Sequence, residues 1–145
     1  MIKMSTKSRY GLRAIIDMAN NYIGKPVLLK DIARRQEISE KYLENIVASL
    51  KSAGLVKSVR GASGGYLLAA KPAEIKIMDI IKIFEGPISI VECVKNPKYC
   101  SRVKKCATRN LWKEISDSIS KILESKTLKE MIDENKQDDV NDWNI

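Results

Sequence analysis

The strongest structural signal in the chain lies in residues 39–68, which read SEKYLENIVASLKSAGLVKSVRGASGGYLL. The first part predicts a helix over residues 40–53, with Ser39 as its N-cap and Gly54 as the glycine that ends it. Its apolar residues recur at intervals of three and four and therefore share one face: Leu43, Ile46, Val47 and Leu50. The opposite face of this helix is polar.

The second part of this stretch predicts a β-hairpin. Residues 55–59 and 66–69 are rich in β-branched and large apolar side chains, as strands are. The glycine-rich turn between them, residues 60–65, carries one cation, Arg60. These glycines do not fit a phosphate-binding loop, because no helix start follows them and the Gly-Lys-Ser/Thr ending is missing.

A shorter helix is predicted over residues 29–36, before a break at 36–38. Two helices joined by a tight turn indicate an ordinary helical hairpin or a helix-turn-helix. The β-hairpin that follows favours a winged helix, with Arg60 placed to enter a narrow minor groove. The predicted fold class is therefore mainly α with a small β-hairpin wing.

Two further helices complete this winged helix-turn-helix domain, which we assign to residues 1–86. The first covers residues 5–22, capped by Ser5, Thr6 or Ser8, with one apolar face. The second covers residues 77–84 and is expected to pack under the wing.

All three cysteines lie in a loop assigned to residues 87–106, at Cys93, Cys100 and Cys106. Three thiolates with these spacings can converge on one metal centre, and iron–sulfur clusters favour thiolates. Structural zinc fits less well, because a Cys-x₂₋₄-Cys pair and a fourth Cys or His are missing. Unliganded cysteines acting as a thiol redox switch remain open. Cations that would lower the thiol pKa values and offset a negative cluster surround them: Lys95, Lys98, Arg102, Lys104 and Lys105.

The C-terminal part predicts a long helix over residues 107–125. A narrow apolar seam runs along it, which favours helix-to-helix dimerisation over packing onto its own domain: Thr108, Trp112, Ile115, Ile119 and Ile122. Thr127 to Glu130 forms a capping box that opens a terminal helix, taken to end near residue 135. Residues 136–145 are polar and acidic, and we expect a flexible tail there.

The charge of the chain is unevenly distributed. The net formal charge is +8, with +7 in residues 1–70, +4 in 71–105 and −3 in 106–145. The basic N-terminal part is therefore expected to bind a polyanion. The chain has no histidine and shows neither paired carboxylates in a plausible cleft nor a nucleotide motif, so we expect no enzyme. No apolar run is long enough to span a membrane and no signal peptide is evident, so we expect a cytoplasmic protein.

Several strings together carry a family resemblance: STKSRYGLR at 5–13, ISEKYLE at 38–44, GLVKSVRG at 54–61, GGYLL at 64–68 and Leu-Trp at 111–112. Over roughly residues 1–135 the chain resembles the Rrf2 family of winged-helix transcription regulators, and its three-cysteine loop resembles the cluster-binding branch. The resemblance implies a homodimer on a palindromic double-stranded operator, with the third helix in the major groove and the wing in the minor groove. It also implies a cluster on each protomer, near the dimerisation helix.

The DNA-contacting residues are expected on three helices and the wing. Base reading is assigned to Tyr42, Glu44 and Asn45, and the minor groove to Ser58 and Arg60. The remaining candidates are expected to contact phosphates or to set the register: Ser5, Lys7, Arg9, Lys30, Ser39 and Lys41.

The fourth cluster ligand departs from the family pattern. Cluster-binding relatives have a histidine three residues after the last cysteine, where this chain has Arg109. Nitric-oxide-sensing relatives use an aspartate from the partner's first helix, where this chain has Arg9. We expect an oxygen donor instead, with Glu92 as the nearest protein candidate, or solvent or a small exogenous ligand.

The expected function is a homodimeric repressor that senses iron–sulfur cluster, redox or nitric oxide status. We favour a 2Fe-2S cluster over a 4Fe-4S cluster, held by the three cysteines. The alternative is a cluster-free regulator whose loop senses a metabolite, thiol oxidation or a partner protein.

Overall fold

The computed structural model describes the backbone of residues 2–142 and the side chains of residues 2–137. Seven helices and two strands follow one another in these residues. The N-terminal ones are α1 (Thr6–Asn20), α2 (Leu29–Gln36), α3 (Glu40–Ser52), β1 (Val56–Val59), β2 (Gly65–Leu68) and α4 (Ile77–Glu85). The C-terminal ones are α5 (Glu92–Lys95), α6 (Ala107–Ser125) and α7 (Leu128–Asp142). The predicted fold class, mainly helical with a two-stranded wing, is confirmed.

The helix-turn-helix consists of α2, a short turn and α3. Glu37 ends α2 in the left-handed region, with a φ of 54°, and Ile38 turns inward, where its N–H donates to the Ala33 carbonyl at 3.0 Å. The predicted apolar face of α3 is buried at all four positions. This burial fixes α3 against α1 and leaves its polar face outward.

The wing is an antiparallel pair in which Val56 faces Leu68 and Val59 faces Gly65. Val27 extends the pair by exchanging two backbone hydrogen bonds of 2.8 Å with Tyr66. Gly65 is required at this contact, because it has a φ of +148° and a Cβ would lie 2.6 Å from the Val27 carbonyl oxygen. The wing is thereby tied to the segment between α1 and α2.

α1 and α4 cross closely, whereas packing of α4 under the wing stays a prediction. Gly11 makes the close crossing possible, because a Cβ there would collide with the Phe84 ring. α1 ends at Asn20, not at residue 22 as predicted; Asn21 is its C-cap, and the Asn21 side-chain amide donates to the Asp17 carbonyl at 2.9 Å. Tyr22 is consequently exposed.

The two C-terminal helices pack back onto the N-terminal domain. The Leu128 N–H donates to the Ile75 carbonyl at 2.8 Å, and the Ile77 N–H donates to Lys126 at 2.9 Å. Leu128 and Ile132 lie in the main core. The capping box is confirmed, since the Thr127 N–H and hydroxyl both donate to the Glu130 carboxylate, at 2.6 and 2.9 Å.

Two predictions about this half need correction. α7 continues to Asp142, beyond the predicted end near residue 135, because nothing helix-breaking stands in residues 129–142. The predicted tail of residues 136–145 is therefore helical through 142, and its last part, residues 143–145, lies outside the described residues. The cysteine loop is more ordered than its sequence indicated, with α5 and a 3₁₀ turn over Val103–Lys105.

Candidate nucleic-acid interface and cysteine loop

The polar face of α3 presents most of its predicted DNA-reading residues to solvent. Ser39 caps the helix as predicted, its hydroxyl accepting from the Tyr42 N–H at 3.2 Å. Lys41, Glu44 and Asn45 are exposed. Because the opposite face of α3 is buried, this polar face is the one available to a groove of DNA.

Tyr42 is half-buried and held by a neighbour on α1. Its ring meets the Tyr10 ring edge to face, with the centroids 6.0 Å apart at 86°. The Arg13 guanidinium lies 5.1 Å from the Tyr10 ring centroid, a distance typical of a cation–π contact. Tyr42 is therefore a packed residue at the edge of the reading face.

An ion pair between Asp17 of α1 and Arg35 of α2 was not predicted from the sequence. Asp17 of α1 is 3% exposed, and its carboxylate accepts from Arg35 at 2.6 and 3.0 Å and from the Gln36 amide at 2.8 Å. The hydrogen bond to Asp17 raises the pKa of Arg35. Gln36 in turn accepts from the Arg13 Nε at 3.0 Å. The sequence did carry a signal for this ion pair, because an aspartate stands inside an otherwise apolar helix segment, IIDMA.

The start of α1 carries three of the predicted phosphate contacts. Lys7 and Arg9 are exposed. Ser5 is the N-cap, accepting from the Ser8 N–H at 3.1 Å, and its own N–H donates to the Glu85 carboxylate at 2.7 Å. Its hydroxyl thus serves the helix in this structure, and a phosphate contact by Ser5 stays a prediction.

The remaining candidates are exposed on the wing and at the start of α2. Ser58 lies on β1, Arg60 follows it, and Lys30 is in the first turn of α2. The turn after Arg60 is closed by a 3.0 Å hydrogen bond from the Gly64 N–H to the Gly61 carbonyl. These side chains and the polar face of α3 belong to the elements that meet DNA in winged helices.

The three cysteines are spread along the loop. Cys93 lies in α5, Cys100 in the irregular segment and Cys106 just before α6; all three are free and half-buried. Within the described part of the chain, no group of three or more Cys, Asp or Glu residues is arranged to hold a metal ion. The thiol donors suit an iron–sulfur cluster chemically, and cluster ligands attach to different irons. In this conformation, however, they do not form a closed ligand set.

Arg109, at the position of the family's histidine, has a different role in this structure. Its Nε donates to the Cys93 carbonyl at 3.2 Å and so ties α5 to the first turn of α6. A guanidinium has no lone pair to offer a metal. Glu92 is exposed at the start of α5, and its role as a ligand stays a prediction.

Cys106 has a distinct electrostatic environment. Its sulfur lies 3.3 Å from the Thr108 hydroxyl. This hydrogen bond first, and then the backbone N–H of Arg109, hold the pKa of the Cys106 thiol below its ordinary value. Thiolate character is what both metal binding and oxidation require.

The predicted seam of α6 is only partly covered by its own chain. Ile122 is 60% and Leu111 50% exposed, whereas Trp112, Ile115 and Ile119 are half-buried. Ser116, on another face of α6, is buried, and its hydroxyl accepts from the Ile90 N–H at 3.2 Å. The apolar surface left on α6 is compatible with the predicted dimer contact.

A helix-turn-helix followed by a two-stranded wing, with the polar face of α3 exposed, defines a winged-helix DNA-binding protein. The family model described as "Rrf2: Iron-dependent Transcriptional regulator" matches residues 4–134. The HTH-type transcriptional regulator CymR of Bacillus subtilis is 44% identical over 130 residues, 90% of this chain and 89% of that protein. IscR of Aliivibrio salmonicida is 37% identical over 141 residues, 97% of this chain and 83% of that protein.

Solved structures agree with these sequence matches. The structure of B. subtilis CymR, the global cysteine regulator, superposes with a TM-score of 0.77 and covers 92% of this chain and 98% of its own. The T. potens IscR structure, 42% identical, gives a TM-score of 0.76 and covers 92% and 88%. The chain belongs to the Rrf2 family of transcription regulators, whose members bind DNA. Among the described residues, no helix has the length and apolar character needed to cross a membrane.

Proposed function

We propose that this protein is a homodimeric, cytoplasmic repressor that binds a palindromic operator. The observation that carries the DNA-binding part is the orientation of α3. Its apolar face is buried, while Lys41, Glu44 and Asn45 are exposed. They belong to the same winged helix-turn-helix domain as the wing cation Arg60. The dimer is proposed on the uncovered apolar surface of α6.

The proposed signal is the state of the cysteine loop, with an iron–sulfur cluster, 2Fe-2S in preference to 4Fe-4S, as its ligand. Cys93, Cys100 and Cys106 would hold the cluster, and Glu92 or solvent would complete it. When bound, a cluster supplies a centre that responds to oxidants and nitric oxide. Support comes from three free thiols in a cation-rich loop and from the resemblance to the cluster-binding branch.

The second candidate is a cluster-free regulator whose loop responds to thiol oxidation, a metabolite or a partner protein. One observation favours it: Arg109, at the position of the family's histidine ligand, donates to the Cys93 carbonyl instead. Similarity to a protein named as a cysteine regulator is consistent with this candidate.

Anaerobic purification separates the two candidates. A cluster regulator is expected to be coloured, with roughly stoichiometric iron and sulfide and visible absorption that changes on exposure to oxidant or nitric oxide. The matched control replaces all three cysteines by serine and should be colourless. A colourless parent protein that still binds a duplex selected from a random library would favour the second candidate.

A further inference from the structure

Glu85, the last residue of α4, makes a contact that the proposed DNA interface does not explain. Its Oε1 accepts from the Ser5 N–H at 2.7 Å and from the Ser8 hydroxyl. Ser8 is fully buried. These two hydrogen bonds therefore join the end of α4 to the start of α1, although the residues are about 80 positions apart in the sequence.

The contact goes beyond capping α1. Ser5 already caps the helix start by accepting from the Ser8 N–H at 3.1 Å, and the Arg9 N–H donates to the Ser5 carbonyl at 3.2 Å. Glu85 adds a tether from a second element. A carboxylate is also favoured at the positive end of the α1 dipole, which strengthens the attachment. Hydrogen bonds from the two serines hold the pKa of Glu85 below its usual range.

The segment that follows Glu85 leads directly to the cysteine loop. Gly86 reverses the chain with a φ of +70°. At the other end of this stem, the Ile90 N–H donates to the buried Ser116 hydroxyl, which donates to the Trp112 carbonyl at 2.9 Å. The stem of residues 86–90 is thus fixed to α1 at one end and to α6 at the other.

We propose that Glu85 is a positioning residue for DNA binding, which ties the first turn of α1 to the stem of the cysteine loop. That turn carries Lys7 and Arg9, whose side chains are exposed and are proposed to contact phosphates. The inference rests on the proposed DNA-binding function. It assigns Glu85 no contact with DNA of its own.

The test compares Glu85→Ala and Glu85→Gln with the parent dimer. Both variants raise the net charge by one, but Gln keeps an acceptor oxygen for Ser5 and Ser8. The matched control is Glu130→Ala, which removes the same charge and an equivalent pair of hydrogen bonds at the start of α7. Affinity is measured across a salt series on a random-sequence duplex and on a duplex selected by the parent protein.

If Glu85 positions the first turn of α1, Glu85→Ala should weaken DNA binding about tenfold at low salt. The slope of log K against log salt should become shallower by about 1 to 2, because one or two phosphate contacts are lost. Charge alone predicts the opposite, tighter binding. Glu85→Gln and Glu130→Ala should bind at least as tightly as the parent, with the same dependence on salt. Unchanged or tighter binding by Glu85→Ala, or the same loss in Glu130→Ala, would overturn the proposal.

Circular dichroism melting establishes that each variant is folded. If Glu85→Ala does not fold, Ser8→Ala replaces it, because it removes one of the two donors and leaves the charge unchanged. It should show a smaller loss with the same change of slope, and a slope equal to that of the parent would contradict the inference. If the parent binds neither duplex, the proposed function itself fails, which is a different result from a parent that binds and a variant that binds equally well.

Discussion

At the scale of single residues, the buried pair of Asp17 and Arg35 orients the turn between α2 and α3. The carboxylate is almost fully buried, so it needs its cation and the Gln36 amide to offset the loss of hydration. Gln36 and Arg13 extend these contacts to Tyr10, and Tyr10 packs on Tyr42. An ion pair between α1 and α2 therefore supports the edge of α3, the helix that we propose reads DNA.

Arg35→Met is expected to destabilise the protein by about 2–3 kcal/mol, because it leaves a buried carboxylate without its main partner. The value is lower than for a fully buried pair, since the Arg35 side chain is 31% exposed. Arg34→Met is the control, because Arg34 is 76% exposed and reaches Asp31 only at 3.7 Å; it should cost less than about 0.5 kcal/mol. Urea unfolding measures both, and equal losses would refute the assignment.

Arg60 on the wing is expected to contribute directly to DNA binding. Arg60→Ala should weaken binding to a selected duplex by ~1–3 kcal/mol, since a guanidinium inserted in a narrow minor groove is lost. Lys121→Ala on α6 removes the same charge from another element and should change the affinity much less. Fluorescence anisotropy gives both values. A change near zero for Arg60→Ala on an intact duplex would count against minor-groove insertion.

At the scale of elements, α6 keeps an apolar strip that its own chain does not cover. Ile122 and Leu111 are at least half exposed, while Ser116 on the other side is buried against the loop stem. One face of α6 is therefore used within the protomer. We propose that the other face contacts a second copy of the chain.

Ile122→Glu should raise the dimer dissociation constant by roughly tenfold or more, because a carboxylate would be buried in an apolar contact. Asn110→Glu, at an exposed position on a different side of α6, introduces the same charge and should leave it nearly unchanged. Sedimentation across a dilution series distinguishes the two. A dimer that tolerates Ile122→Glu would place the interface elsewhere.

Local patterns in the sequence predicted most of the helices and strands. They did not predict contacts between residues that are far apart in the sequence. The bounds of α2 and α6 and the caps Ser39 and Thr127 depend on neighbouring residues, so periodicity and capping rules sufficed. The return of α7 to the core did not follow from its sequence, because Leu128 and Ile132 reveal an apolar pair but not its partner. The pairing of Glu85 with Ser5 and Ser8 likewise depends on how α1 and α4 cross.

At the scale of the whole molecule, the carboxylate of Glu85 links folding to pH. Its pKa is lowered in the folded state by hydrogen bonds from Ser8 and Ser5. It therefore adds stability that is fully present above its unfolded pKa, about 4.3, and is lost as the pH falls through the lower folded value. Chemical unfolding from neutral pH to below pH ~3 should show the difference between parent and Glu85→Gln shrinking as the pH falls. A constant difference would contradict this.

The cysteine loop is also connected by hydrogen bonds to α1 and to α6. Arg109 joins Cys93 to α6, Ser116 holds the loop stem, and Glu85 ties that stem to α1. We propose that a change in the loop reaches the N-terminal domain through these contacts and alters the spacing of the two such domains in a dimer.

We propose that the state of the cysteine loop sets DNA affinity. The most direct measurement is anaerobic binding of a selected duplex before and after treatment with oxidant, by the parent and by the variant with serine at Cys93, Cys100 and Cys106. The parent's affinity should change about tenfold or more, a coupling of ~1.4 kcal/mol, and the serine variant should not respond. An unresponsive parent, or an equal response in both proteins, would contradict the claim.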